Sequence, residues 1–406
     1  MTDLRRRAFV ALMATLAIQV YTALAATGMS VLAPVVAPEF GVSPKLVGVF
    51  IGMLYAASTA ASLFSGTFIV RHGAIRVSQA AVLLCACGLL LVPIAAWSGV
   101  GVALVVIAAF MIGAGYGPIT PASSQILSRT APPERMALTF SIKQTGVPAG
   151  AALGGALLPS MSLLLGWHAA LLAIAALGIV VAFAAQPIRS ELDAGRERGR
   201  RHSIAGILKP LRKLVRNPML VELTLVSFFY AALQVSLMAF LVVYLTEALG
   251  WSLVPAGLAL TVATVAGVAG RILWGMVADH LLPPRRVLGL IGILAGIAAV
   301  ATALYPGDWP VLPLLLLAAA FGGTAIGWNG VQLVEVARHS PPGEVGPTTG
   351  AASFIGFSGV VIGPPLFGLL ASATGYYATG FIVMGAAAGA TGGVVLLRDH
   401  RARRSG

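Results

Sequence analysis

Charged residues are scarce in this chain: Asp, Glu, Lys and Arg make up 10% of 406 residues, and only 13 of them are acidic. A water-soluble protein of this size could not clothe its surface with so few polar groups, so water is excluded as the solvent for most of the chain. Cysteine is nearly absent. Cys85 and Cys87 share one apolar run, sit two apart on different helix faces and have no histidine nearby, which argues against both a disulfide and a metal site. There is no Gly-Lys-Ser/Thr loop to cradle a phosphate and no soluble domain to carry one, which excludes a nucleotide-driven pump. The histidines, His72, His168, His202, His280, His339 and His400, fall in loops or at the ends of apolar runs, with no metal spacing and no nucleophile and base beside them. The chain is therefore not read as an enzyme, and no cofactor is called for.

What the chain does have is apolar mass. It is 58% hydrophobic, with a mean hydropathy of +0.94. Its 48 glycines and 24 prolines would break helices in water. Both are common in membrane helices, where small residues let backbones approach and neighbours re-satisfy freed carbonyls. The net charge of +13 is scattered between apolar runs rather than gathered on one soluble face, so nucleic acid is not an expected partner; the lipid bilayer is.

Runs of about 20 apolar residues, the length that crosses a bilayer, fall at 9–35, 46–69, 76–97, 100–126, 138–164 and 167–186, then at 219–246, 254–278, 286–305, 311–336, 349–373 and 376–397. The reading is an all-α membrane protein of twelve spans. The first six-helix bundle occupies 1–186, a polar linker 187–217 and the second bundle 218–406. Arg5-Arg6-Arg7 followed by an apolar run resembles a signal peptide, but the run continues past Ala25 to Val36, longer than such a segment needs, and is kept as span 1. With twelve crossings, 23 of the 26 Lys and Arg fall on one side; Lys45 lies opposite, and Lys143 and Arg271 fall within spans. That asymmetry places both termini in the cytoplasm, and the composition suits a cell inner membrane.

The chain also repeats itself at an offset of 209 residues. Tyr21 falls on Tyr230, Gly41 on Gly250, Ser43 on Ser252, Gly48 on Gly257, Gly66 on Gly275 and Arg76 on Arg285. Arg129, Pro132 and Pro133 fall on Arg338, Pro341 and Pro342, and Gly166-Trp167 on Gly375-Tyr376. One register kept across five loops predicts two parallel halves related by an axis along the membrane normal, a solute site near mid-membrane, and rocking between the halves.

These features resemble the major facilitator superfamily over essentially the whole chain. After span 2, Gly66, Arg71, Gly73 and Arg76 match that family's signature, with Val70 where its Asp is expected; the second copy reads Gly275, Asp279, His280, Arg285 and Arg286. The resemblance implies a gating role for Asp279, Arg71, Arg76, Arg285 and Arg286, against the plainer reading that these charges anchor span ends. Gly146, Pro148, Gly150, Gly154 and Gly155 in span 5 loosely resemble the family's antiporter motif and equally suit close helix packing.

A charge inside a span is by default a functional hypothesis. Arg271 lies eight residues before Asp279 and Lys143 eight after Arg135, so each sits about 12 Å inside its helix at 1.5 Å per residue. The stretch Arg271-Ile272-Leu273-Trp274-Gly275 is similar to span 8 of monocarboxylate transporters and the oxalate-formate exchanger, and implies that Arg271 grips a carboxylate with its planar fork. Arg271 is the leading substrate ligand and Lys143 the second; pairing within the bundle and snorkelling are the alternatives. Further cavity candidates are Tyr21, Tyr116, Thr120, Tyr230, Gln234, Trp328, Asn329 and Gln332. Gln144 faces about 100° away from Lys143 on an ideal helix and is read as packing. Glu222, Glu247 and Glu335 stand at span edges, so no buried carboxylate for proton coupling is visible.

The expected function is secondary transport of a small organic anion, a mono- or dicarboxylate, by a monomer, with a coupling proton or counter-anion left open. Drug efflux on the same fold and a non-transporting membrane receptor are the competing readings.

Overall fold

The computed structural model describes residues 2–98, 101–130, 139, 142–193, 211–305, 310–340 and 345–404. Among the sequence calls, Pro132, Pro133, Arg135, Pro341, Pro342 and His202, together with the linker stretch 194–210, lie outside the described residues. Twelve helices among those described are long and apolar enough to cross a membrane, as expected. A bilayer core offers backbone groups no water, so each apolar run satisfies its own N–H and C=O groups by coiling.

Spans 1 to 3 are Thr2–Val36, Val47–His72 and Ala74–Ser98. Span 4 is two half-helices, Val102–Tyr116 and Ile119–Thr130. Span 5 covers Ile142–Leu165 with its regular helix starting at Gly146, and span 6 is Trp167–Ala184. A short helix, Gln186–Leu192, follows. Spans 7 to 9 are Pro218–Glu247, Leu253–His280 and Pro284–Ala303. Span 10 is again two half-helices, Val311–Ala325 and Asn329–Arg338, and spans 11 and 12 are Val345–Thr374 and Tyr377–Arg404.

The chain forms two compact units, Met1–Pro44 with Met53–His202 and Lys45–Gly52 with Ser203–Gly406. Lys45–Gly52, assigned from sequence to the first bundle, groups with the second unit. Its glycines explain why: a Cβ on Gly48 would lie 2.3 Å from the Pro364 carbonyl oxygen and one on Gly52 2.4 Å from the Pro365 ring.

The 209-residue repeat now has a physical basis. Gly41 and Gly250 have φ of 65° and 68°, and Gly166 and Gly375 have 80° and 82°. These left-handed turns join spans 1 to 2, 7 to 8, 5 to 6 and 11 to 12, and side chains are strained there. A second pair is about contact. A Cβ on Gly113 would lie 2.0 Å from the Leu54 carbonyl oxygen, and one on Gly322 1.8 Å from that of Ala263, so spans 4 and 10 seat directly on the backbones of spans 2 and 8. Both residues of each contact are related by the same offset.

In the first unit, span 1 is central, packing on spans 3, 4, 5 and 6. Gly150 of span 5 lies where a Cβ would come 2.3 Å from the Val20 carbonyl oxygen, and Gly146 faces Gln19 in the same way at 2.9 Å. In the second unit an aromatic stack, Phe240 on Phe367 at 4.2 Å and Phe367 on Phe381 at 4.8 Å, locks spans 7, 11 and 12.

Candidate functional site

Spans 4 and 10 are interrupted at repeat-related places, Gly117-Pro118 and Ile326-Gly327-Trp328. Pro118 has no N–H to continue a helix, which accounts for the first interruption. The second is held open by its neighbours. Arg271 Nε of span 8 donates to the Ile326 carbonyl at 3.1 Å, and Trp274 Nε1, one turn on, donates to the Gly323 carbonyl at 2.9 Å. A Cβ on Gly327 would approach Trp274 to 2.7 Å, so the small residue makes room for the indole. Broken helices expose backbone polar groups at membrane depth only where protein or a cavity can satisfy them.

Just past the span-10 interruption, three of the sequence candidates meet. Gln234 Oε1 of span 7 accepts from Trp328 Nε1 at 3.0 Å and from Asn329 Nδ2 at 3.3 Å. Tyr230 packs its ring edge against Trp328 at 5.9 Å, and its hydroxyl donates to the Leu288 carbonyl of span 9 at 2.8 Å. Gln332, one turn after Asn329, is buried. Arg271 therefore serves at least as a positioning group for this interruption, which is the backbone-carbonyl alternative weighed in the sequence.

The first unit holds the more exceptional cation. Lys143 is 2% exposed, and its Nζ donates to Gln144 Oε1 at 3.2 Å and Thr120 Oγ1 at 3.4 Å. Both partners are neutral. Gln144, read from ideal helix geometry as a packing residue, instead turns its amide oxygen toward the ammonium, because two long side chains can meet where their Cβ vectors diverge. Thr120 is the repeat counterpart of Asn329, so the start of each second half-helix presents a polar side chain. Tyr116 lies half-buried with its ring edge on Tyr55 at 6.0 Å. Tyr21, 2% exposed, points its hydroxyl at span 6, where a Cβ on Gly178 would lie 2.1 Å away. Tyr21 and Tyr230, equivalent by sequence, thus bury their hydroxyls against different helices.

The span-end charges resolve into clasps inside each unit. Glu222, 7% exposed, accepts from Arg285 Nη2 at 2.7 Å and Nε at 3.1 Å, and from Arg398 Nη1 at 3.0 Å. Arg286 Nε donates to Asp399 at 2.8 Å. Arg285 and Arg286 hence tie the start of span 9 to spans 7 and 12. Asp279, Arg71 and Arg76 are exposed at their span ends.

Two groups escaped the sequence reading. Asp193, after the short helix, accepts from the backbone N–H groups of Ile75 at 2.8 Å and Arg76 at 3.2 Å and so caps span 3. Gly73, with φ of 94°, leaves room for it. At the far end of the same unit, His168 stacks between Trp167 at 3.7 Å and Trp97 at 5.5 Å. Its Nε2 lies 3.1 Å from Glu39 Oε1, while Trp167 Nε1 donates to Glu39 Oε2 at 2.7 Å. Neither cluster carries a local motif; only the tertiary fold brings residues more than 100 positions apart together.

The family model described as Major Facilitator Superfamily matches residues 15–359, and again 223–406. An uncharacterized MFS-type transporter of Mycobacterium tuberculosis strain H37Rv is 26% identical over 267 residues, which cover 66% of this chain and 58% of that one. Monocarboxylate transporter 13 of Rattus norvegicus is 31% identical over 180 residues, 44% of this chain and 40% of that one. The chain thus spans less than two thirds of the length of these relatives. A crystal structure of the peptide transporter POT in complex with sulfate superimposes with a TM-score of 0.74 at 17% identity, covering 96% of this chain and 94% of that one, and shows the same fold.

Proposed function

Because the chain belongs to the Major Facilitator Superfamily, we propose that it is a secondary transporter that carries a small organic anion, a mono- or dicarboxylate, across the cell inner membrane by alternating access. Both termini lie in the cytoplasm, as the distribution of Lys and Arg supports. The observation that carries this reading is Lys143: an ammonium 2% exposed, held by two neutral oxygens at 3.2 and 3.4 Å. Burying such a charge costs several kcal/mol unless an anion compensates it. A site kept at that cost is suited to binding an anionic solute, and the carboxylate in the name of the relative monocarboxylate transporter 13 is of the matching sign.

The two units differ in the cation that each holds. In the first, Lys143 supplies the charge, with Thr120 and Gln144 as neutral hydrogen-bonding partners that a carboxylate can displace or share. In the second, Arg271 keeps the interruption of span 10 in shape, and Gln234, Trp328 and Asn329 meet just after it, with Gln332 one turn further on. Asp279, Arg71 and Arg76 are the remaining gating candidates; Arg285 and Arg286 act as intra-unit anchors. Gly146 and Gly150 of span 5 meet span 1 closely, which suits the packing reading of these glycines; drug efflux on the same fold is the alternative.

The test is uptake of radiolabelled lactate and succinate into liposomes containing the purified protein. Saturable uptake of either anion that is abolished by Lys143→Met and strongly reduced by Arg271→Ala supports the reading. Uptake unchanged by Lys143→Met would remove the lysine from the site, and failure of both anions to enter would remove carboxylates from the substrate class.

A further inference from the structure

Span 1 runs beside the elements that hold Lys143: it packs on span 5 and on the second half-helix of span 4, which carries Thr120. Its buried threonines, Thr15, Thr22 and Thr27, return their hydroxyls to carbonyls one turn back on the same helix, at 2.8, 3.0 and 2.9 Å. Gln19, on the same span and 1% exposed, has no such arrangement. Its Oε1 lacks a hydrogen-bond partner among the described residues. The N–H groups inside a helix are committed to carbonyls, so a buried side-chain acceptor finds a donor only on another side chain or on a ligand. Leaving such an acceptor unmade is costly, and the cost calls for an explanation.

The position of Gln19 ties it to the lysine. Span 5 is irregular between Lys143 and Gly146: the Thr145 N–H donates to the Ile142 carbonyl, three residues back, at 3.1 Å, and the regular helix starts at Gly146. A Cβ on Gly146 would lie 2.9 Å from both Cβ and Cγ of Gln19, so the stem of the glutamine lies over this glycine. Gly146 is three residues past Lys143, about 4.5 Å along a helix. The glutamine and the lysine therefore flank one turn of span 5. Packing alone does not call for an amide at this place in the fold, because at the 209-residue offset the second unit has Phe228.

We infer that Gln19 selects the substrate: its Oε1 accepts a hydrogen bond from a hydroxyl on the organic anion whose carboxylate sits on Lys143. The preferred solutes are then hydroxy acids rather than the same acids without the hydroxyl. A ligand ammonium could donate as well, but Lys143 already puts a positive charge at this turn, and a second buried cation beside it is repelled. A keto group offers only lone pairs and leaves Oε1 facing another acceptor. The inference rests on the transport reading above and narrows its substrate class. One neutral hydrogen bond, made to an acceptor that is otherwise left without a donor, favours the hydroxy acid by about tenfold.

The test is initial uptake into liposomes containing the full-length protein, less the flux into protein-free liposomes, for three matched pairs of radiolabelled anions: glycolate and acetate, lactate and propionate, malate and succinate. Both members of a pair are used at the same concentration, below saturation, so that the ratio of their rates reads the preference. Wild type takes up the hydroxy member of at least one pair about tenfold faster than its partner. Gln19→Met keeps an unbranched chain of similar length without the acceptor, and brings that ratio to about one. A merely structural defect lowers both members and leaves the ratio where it was. A wild-type ratio near one in every pair, or a preference that survives in Gln19→Met, overturns the inference while leaving Lys143 as an anion site. If no anion of the panel enters, the transport reading itself fails, and the hydroxyl preference falls with it.

Discussion

Replacing Lys143 with methionine is expected to make the protein more stable while destroying its function. Methionine keeps an unbranched chain of similar length in a site that is 2% exposed, so little packing is lost. Two hydrogen bonds from a charged donor disappear, each worth about 1.5 kcal/mol, since at 3.2 and 3.4 Å they belong at the weak end of the range. Thr120 and Gln144 are themselves exposed and can regain partners, so neither is left orphaned. Against this loss of about 3 kcal/mol, the variant is relieved of keeping an ammonium out of water, which costs several kcal/mol per ion after relaxation. The balance favours the variant by about 1–2 kcal/mol. For a unit of this size that is an upward shift of roughly 4 °C in apparent Tm. The assay is thermal unfolding of detergent-purified protein followed by fluorescence-detected gel filtration, run beside the liposome uptake described above. A Tm that falls together with uptake would show that Lys143 holds the first unit together through its two contacts, and the argument for an anion site would collapse.

Glu222→Gln should do the opposite, lowering stability by about 3 kcal/mol because Arg285, 15% exposed, loses its buried carboxylate, whereas Arg398→Ala, at a 60% exposed partner, should cost less than about 1 kcal/mol; equal Tm shifts would contradict the assignment. Asp193→Ala strips the cap from the start of span 3 and should destabilise the first unit by about 1–2 kcal/mol, with Asn in its place recovering part of that through one retained acceptor, as read by the same melts. Gly322→Ala forces a methyl group onto the Ala263 carbonyl and should sharply reduce the yield of monodisperse protein on gel filtration, while Gly393→Ala, which meets nothing within 4 Å, should be neutral or slightly stabilising. If both behave alike, the seating of span 10 on span 8 is looser than the structure shows.

Much of the fold was legible in the chain because its causes are local. Bilayer thickness sets the length of an apolar run, and a backbone surrounded by hydrocarbon must coil, so all twelve spans could be placed, within about four residues except at the outer ends of the first and last. The repeat was visible for a related reason. Gly41 and Gly250, and Gly166 and Gly375, stand at left-handed turns that strain any side chain, and such positions leave their mark on the sequence. The interruptions of spans 4 and 10 were partly legible at best: Pro118 announces the first, but the second depends on Arg271 and Trp274 reaching across from span 8.

The sites themselves were decided by tertiary structure. Sequence could say that Lys143 and Arg271 are cations within spans, and it ranked the arginine first because a guanidinium is the better carboxylate clamp. The fold adds what each touches: Arg271 Nε donates to a carbonyl of its own unit, and Lys143 Nζ to two neutral side-chain oxygens. Glu222 and Glu335 looked alike in the chain, two acids at span edges. Glu222 is held by Arg285 and Arg398, more than 60 positions away, whereas Glu335 pairs with Arg338 of its own helix, and only the tertiary contacts tell the two apart.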